Sequence, residues 1–502
     1  MRADIAAIVA AIGVVLLLVP LPAIDAWMRR LAGLALIAGA WVALAVGLVP
    51  DSLADRISDR AGSPLGALAL AATALVGVAI VGGLAHVLER RPLIWFVLLA
   101  LALPFRIPIA LGDGDTARLL VPLYAVILVG LVIVIGRFVR GRADEPADPG
   151  PVVAVTAAAF VAWQVVSAAW SSDAEESAVK VIFFYLPFSV MWFVVLALWQ
   201  RGALKRMGLA TIALAVPGAL LAVYQYTFQE VWWNSTLQQA NVYSRLYRVN
   251  GIFFDPNIMG RWLVLCLVGL FALALWRARP RDAVLLSLAA VVLFAGLVVT
   301  FSRSSALMLM AALAIIAWRA CGPRATAVAL SAIILVGAIG GFAASGQIRR
   351  AATDFDRLEQ VSEGRFGLIR GGLDIWREHP VRGGGLGSFA DRFSESLDDR
   401  SRRRTRVVIS HNTPVTVLAE GGVIAGVLLA LLAAAMSVRL AVGTRRTGRD
   451  AWFAYAGLAV LAGMFLHAVF YSGLFEDPYV WVVAAGALAL IGAPAREGEE
   501  AA

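Results

Sequence analysis

Three polar segments interrupt an otherwise apolar chain, and each carries residue types able to do chemistry. The first reads Arg248-Val-Asn-Gly-Ile-Phe-Phe-Asp-Pro-Asn257 and runs into an apolar stretch. An Asp-Pro-Asn turn at a helix start caps backbone donors and aims the positive end of the helix dipole outward. With Asn257 it therefore offers a seat for an anion, or is a capped helix and nothing more. The second is Thr300-Phe-Ser-Arg303-Ser-Ser, a polar knot between two apolar runs. A charge beside hydrocarbon is expensive, which makes Arg303 a functional candidate; snorkelling to the interface is the alternative. The third is long and contains Gly364-Arg365, Arg370, Trp376-Arg377, His379-Pro380 and a glycine run from Gly383 to Gly387, and it ends in Ser410-His411-Asn412 followed by Glu420-Gly-Gly. Arg365, Arg370 and Arg377 fall near one face of a helix and present planar forks suited to phosphate oxygens, or form a solvated basic face. The glycine run permits close approach of a bulky ligand or serves as a hinge. His411 stands out among four histidines because it opens an apolar helix beside Asn412. An imidazole with an ordinary pKa of about 6.5 accepts a proton at neutral pH, and an interface residue is the competing reading. His86, His379 and His467 are expected to serve packing.

The elements that must position these residues are membrane spans. The chain has 502 residues, of which 61% are hydrophobic and 15% charged, with a mean hydropathy of +0.82. Soluble chains run near half apolar and a quarter charged, so an ordinary cytoplasmic enzyme and a disordered regulator are both excluded. A spanning helix needs about 20 mostly apolar residues, and the sequence offers about fifteen such runs, with a bracket of twelve to fifteen. They are expected at 5–22, 31–49, 65–88, 93–111, 118–137, 152–170, 181–199, 204–226, 258–276, 283–300, 304–319, 325–345, 413–438, 452–471 and 474–492. The first apolar run lacks a basic start and a cleavage site and reads as a retained segment rather than a signal peptide.

Basic residues choose the orientation, since cytoplasmic loops keep Lys and Arg. Alternate breaks carry nineteen basic residues in one set, from Arg29/Arg30 to Arg439/Arg445/Arg446/Arg449, against eight in the short breaks of the other. The richer set is expected to face the cytoplasm, which sends all three polar segments to the extracytoplasmic side. The expected organisation is therefore N-terminal spans over 1–247, spans with the two short motifs over 248–345, a long extracytoplasmic loop over 346–412 containing short helices, C-terminal spans over 413–493 and a cytoplasmic tail at 494–502. The fold class is an all-α polytopic membrane protein.

Taken in order, Gly-Ile-Phe-Phe-Asp-Pro-Asn257, Thr-Phe-Ser-Arg303, Gly-Arg365 with Trp376, His379-Pro380 and Gly383 to Phe389, then His411-Asn412 and Glu420-Gly-Gly, resemble the successive signatures of the O-antigen ligase family over about residues 248–426. That family also contains O-antigen polymerases and protein O-oligosaccharyltransferases. The resemblance implies a membrane glycosyltransferase that moves a glycan from an undecaprenyl-pyrophosphate carrier to a hydroxyl of a glycolipid, glycan or protein acceptor, without metal, cofactor or nucleotide sugar. It further implies that Arg303 and Arg365 bind the donor pyrophosphate and that His411 is the base, with inversion at the anomeric carbon. Arg370, Arg377, Asn257, Asn412 and Glu420 follow as secondary candidates. The implied setting is the bacterial inner membrane, with the active site facing outward.

Other classes are weighed against this. A net charge of +9 invites nucleic acid, but the basic residues lie in short breaks where topology places them, so no nucleic-acid partner is expected. Cys266 and Cys321 sit in or beside apolar runs and provide neither a disulfide framework nor a thiolate metal site. A lipid-linked-glycan flippase fits the number of spans, yet such carriers bury acids within spans, and here Arg261 is the main charge expected inside one. Asp113-Gly-Asp115 suggests a metal-dependent transferase, or a solvated turn. Within the family, a single large external loop favours ligation over polymerisation.

Overall fold

The structure is a computed structural model. It describes the chain except residues 1–2, 22–24, 50–54, 56–57, 60, 113–114, 233, 245, 277–279, 344–364, 398–409, 445–450 and 493–502. In chain order the helices are α1 (Ala3–Leu18), α2 (Ala26–Gly47), α3 (Pro64–Glu89) and α4 (Pro92–Ala102), then after a hairpin α5 (Val121–Val139) and α6 (Pro151–Ser167). A single curved rod follows, made of α7 (Ala174–Lys180), a π turn (Val181–Tyr185) and α8 (Leu186–Ala197). Next come α9 (Ala203–Phe228), the short α10 (Ser235–Tyr243), α11 (Pro256–Trp276), α12 (Pro280–Val299) and α13 (Arg303–Ala343). The remainder is α14 (Arg365–Glu378), α15 (Phe389–Glu395), α16 (Thr413–Gly443), α17 (Ala451–Ala468) and α18 (Pro478–Gly492).

Among the described residues, ten helices are long and apolar enough to cross a bilayer, and α1, α4, α17 and α18 are shorter apolar helices. The clearest physical sign of lipid is α3. Its Leu65, Leu75 and Val78 are exposed on a helix whose most hydrophobic window buries none of its residues. Water would not tolerate such a surface, whereas lipid tails are as apolar as the side chains themselves. The chain is an all-α polytopic membrane protein, as its composition requires.

Four expected spans differ in detail. The run 93–111 is helical only to Ala102, after which Ile107–Gly112 and Asp115–Leu119 form an antiparallel hairpin, β1 and β2, with Ile107 opposite Leu119. Pro104 and Pro108 account for this, because proline removes backbone donors that a helix needs. Asp113 of the suggested acidic turn lies outside the described residues, and Asp115 begins β2. The runs 304–319 and 325–345 belong to one element, α13, broken at Gly322 with φ 81° just before Pro323. The run 474–492 becomes helical only from Pro478, leaving a structured turn over 469–477.

Packing places α11 at the centre, in contact with α9, α12, α13 and α17, while α16 packs on α6, α14 and α17. Met259, Trp262, Leu263 and Val264 of α11 are buried. Close approach of α11 and α13 depends on Gly260, where a Cβ would lie 2.6 Å from Ser305 Oγ. Gly260→Val is expected to force these helices apart and cost about 1–3 kcal/mol, the usual range for overpacking. Gly39→Val, at a position with open space around it, should be silent. Melting temperature in detergent, read side by side for the two variants, checks this.

Candidate active site

On one face of the bundle α11, α13 and α16 begin and α17 ends. The helix starts at Pro256, Arg303 and Thr413 therefore present the positive ends of three dipoles toward the same rim, a field that favours a negatively charged ligand.

The local fold explains which side chains are offered there. Thr300, Ser302, Ser304 and Ser305 are buried and Arg303 is exposed. Phe301, with φ 50°, makes the turn that lets four small polar residues face inward around one outward arginine. The Ser302 hydroxyl donates to Asn257 Oδ1 at 2.9 Å, and Arg248 Nη2 donates to the same oxygen at 3.1 Å. Arg248 Nε also reaches the Thr300 carbonyl at 3.2 Å. Asn257 thus ties the first polar segment to the second, while Asp255 caps the helix by accepting the Asn257 amide at 2.6 Å.

His467 carries the connection onward. It is fully buried, and its Nε2 lies 3.0 Å from Ser304 Oγ and 3.4 Å from Ser305 Oγ. Its ring is 5.5 Å from that of Tyr471, which in turn is 6.1 Å from the ring of His411. Arg261 sits over the Tyr471 ring at 5.7 Å and forms a buried ion pair with Asp477 at 2.6 Å. Burial, aided by the Asp255 carboxylate and opposed by Arg261 and Arg106, pushes the Tyr471 hydroxyl well above its usual range, so it stays protonated.

His411 is half-buried with φ 54°. Its neighbours are pinned: Ser410 Oγ donates to the Asn412 carbonyl at 2.7 Å, Asn412 Oδ1 caps the Val415 amide at 3.0 Å, and Asn412 Nδ2 donates to the Val469 carbonyl at 2.8 Å. Non-glycine residues rarely adopt positive φ, and among the described residues three do so: Gln229, Phe301 and His411. Two of the three fall in the polar motifs, where held backbone strain commonly accompanies function.

The remaining sequence candidates separate by place. Arg365 opens α14, but its side chain lies outside the described part of the structure. Arg370 is exposed on α14, and Arg377 forms an exposed ion pair with Asp374 at 2.6 Å. α14 packs on the first turns of α16, with Gly372 against Val415, which sets the arginine-bearing helix next to the His411 turn.

Two expectations are corrected. The glycine run is neither a hinge nor a ligand cradle, because it docks on the protein itself. The amides of Gly384 and Gly385 donate to the carbonyls of Ala419 and Glu420, both at 2.8 Å. Gly383 and Gly385 have φ of 70° and 102°, and Cβ atoms there would lie 2.4 Å from the Glu420 and Ser171 backbones. Nor do the spans lack acids. Glu420 is buried within α16 and pairs with the buried Lys180 at 3.2 Å, a partner on a distant element that no local pattern reveals. Glu420 therefore braces α7 against α16. His467, expected to serve packing alone, joins Ser304 to the Tyr471 turn, and only its depth in a late helix was visible beforehand.

The fold and site together define a polytopic membrane protein with a cation-rich, helix-capped polar rim. Residues 288–430 match the family model for O-antigen ligase, so this segment of the chain is similar to that family. No curated protein matches the chain. The matched segment contains Arg303, Arg365, His411 and Glu420, whereas Asn257 and His467 lie outside it and reach it through the hydrogen bonds above.

Removing one partner of a buried ion pair strands a charge, at a cost of about 3–5 kcal/mol. Lys180→Met should accordingly lower the denaturation midpoint sharply, and the charge-free pair Lys180→Met/Glu420→Leu should recover most of it. Denaturant titration of the purified protein reads both.

Proposed function

We propose that this protein transfers a glycan from an undecaprenyl-pyrophosphate carrier to an acceptor hydroxyl at the extracytoplasmic face of the bacterial inner membrane. The observation that carries the reading is the linkage of the Arg303 turn to the His411 turn through Ser304, His467 and Tyr471. A phosphate-binding cation and a proton acceptor are thereby held by one connected network.

In this reading Arg303 and Arg365 hold the pyrophosphate, aided by the three helix starts. Guanidinium remains charged beside a membrane and forks onto phosphate oxygens. His411 removes the proton from the acceptor hydroxyl as its oxygen attacks the anomeric carbon. The bond to the carrier phosphate breaks on the opposite side, so configuration inverts and undecaprenyl pyrophosphate leaves with the bonding pair. Charge grows on that leaving group, and fixed cations there lower the barrier most. Asn257 and Asn412 position the turns. Arg370 and Arg377 stand ready for carrier phosphates or acceptor, and neither metal nor cofactor is called for.

The test is transfer from purified lipid-linked glycan in the presence of EDTA. His411→Ala should lose about 10²- to 10⁴-fold in kcat, the usual worth of a general base. Arg303→Ala should lose at least about 10²-fold. Single additions on a gel mark a ligase and a ladder marks a polymerase. Full activity in both variants, or abolition by EDTA, overturns the reading.

A further inference from the structure

A roomy open cleft lies beside the site rather than in it. Its volume is about 690 Å³, within the range of small-molecule sites, and it is formed by the turn after α9, by α10 and by Tyr247. The lining mixes two kinds of group. Trp232 and Tyr247 supply aromatic surface, while Gln229, Glu230, Gln238 and Asn241 supply amides and a carboxylate. Flat aromatic faces beside amide and carboxylate groups are the chemistry that receives a sugar ring, whose C–H face is apolar and whose rim is a row of hydroxyls.

The cleft is built rather than incidental. Trp232 meets Tyr224 at 5.9 Å and Tyr224 meets Phe228 at 4.6 Å, both as tilted rings. The Tyr247 hydroxyl donates to the Gln229 carbonyl and the Gln238 amide to the Val231 carbonyl, which closes the loop on itself. Gln229 reverses the chain at the end of α9 with φ 56°, the third non-glycine residue with positive φ among those described. The cleft also communicates with the catalytic rim. Asn241 exchanges two hydrogen bonds with the Arg248 backbone, at 2.8 and 3.0 Å, and the Arg248 side chain holds Asn257 and Thr300. Tyr226 meets Phe301 of the Arg303 turn at 5.9 Å.

We infer that this cleft is a saccharide subsite, which takes a sugar of the transferred glycan beyond the one that reacts. Glu230 favours neutral, amino or acetamido sugars and disfavours uronic acids by like-charge repulsion. The inference rests on the glycosyltransferase reading, and it separates from that reading because the cleft contributes affinity for glycan without touching the bond that breaks.

The probe is the free glycan released by mild acid from the lipid-linked pool of the source cells, measured by saturation-transfer NMR against the full-length protein in lipid nanodiscs. Sugar-headed detergents are left out because their head groups would compete. Wild type should show saturation transfer to ring protons, Trp232→Ala and Gln238→Leu should lose it, and Trp232→Phe should keep most of it. In transfer assays Trp232→Ala should raise KM for the lipid-linked donor several-fold with kcat retained, the reverse of the Arg303→Ala pattern. Absence of saturation transfer in wild type, or signals equally strong in Trp232→Ala, overturns the subsite. Absence of transfer by the wild-type protein overturns the glycosyltransferase reading instead, and transfer that persists in Arg303→Ala and His411→Ala overturns the roles given to those two residues.

Discussion

The architecture of the rim depends on one oxygen atom. Asn257 Oδ1 accepts from both Ser302 and Arg248, and so holds the starts of α11 and α13 at a fixed separation. At a membrane edge a polar group without a partner is costly, and this one is doubly satisfied. Gly260 supplies the other half of the constraint by letting the two helices touch. Everything further out, from His467 to the Tyr471 turn and the His411 turn, is registered against that junction. The outward placement of Arg303 follows from it, since its serine neighbours are committed to the interior.

A second junction stands apart from the first. The glycine run meets α7 and α16 through backbone contacts, and the Lys180–Glu420 pair lies beneath it. The long polar loop is thereby fastened to the membrane helices at its middle, while α14 rests on the first turns of α16. Division of labour follows: one junction sets the spacing of the helix starts, and the other sets the height of the loop above them. Conserving the geometry of both is what allows a few exposed side chains to be placed on turns rather than inside rigid helices.

Much of this was legible in the chain itself. Apolar runs gave the helices because backbone satisfaction in lipid leaves few alternatives, and the motif residues were visible as polar interruptions. What stayed hidden was pairing at a distance. Glu420 looked like part of a motif ending, and nothing local pointed to Lys180, some 240 positions earlier. His467 sat in an apolar run and read as packing, because its serine partners lie about 160 residues away. The glycine run was misread for a related reason: glycine signals close approach, and the sequence does not say by what. Proline, by contrast, gave its effect locally, and the failure of the run 93–111 to continue as a helix beyond Ala102 was encoded in Pro104 and Pro108.

The left-handed backbone at His411 has a practical consequence. The imidazole is aimed by the main chain, so an alanine there removes the ring and adds some strain to the turn, two effects that a second substitution separates. Asparagine is the side chain that best tolerates this conformation after glycine. His411→Asn would keep the turn, the Asn412 cap and the hold on Val469 while removing the imidazole. Under the proposed mechanism it is the substitution best suited to holding donor and acceptor together unreacted, long enough for both to be imaged in place.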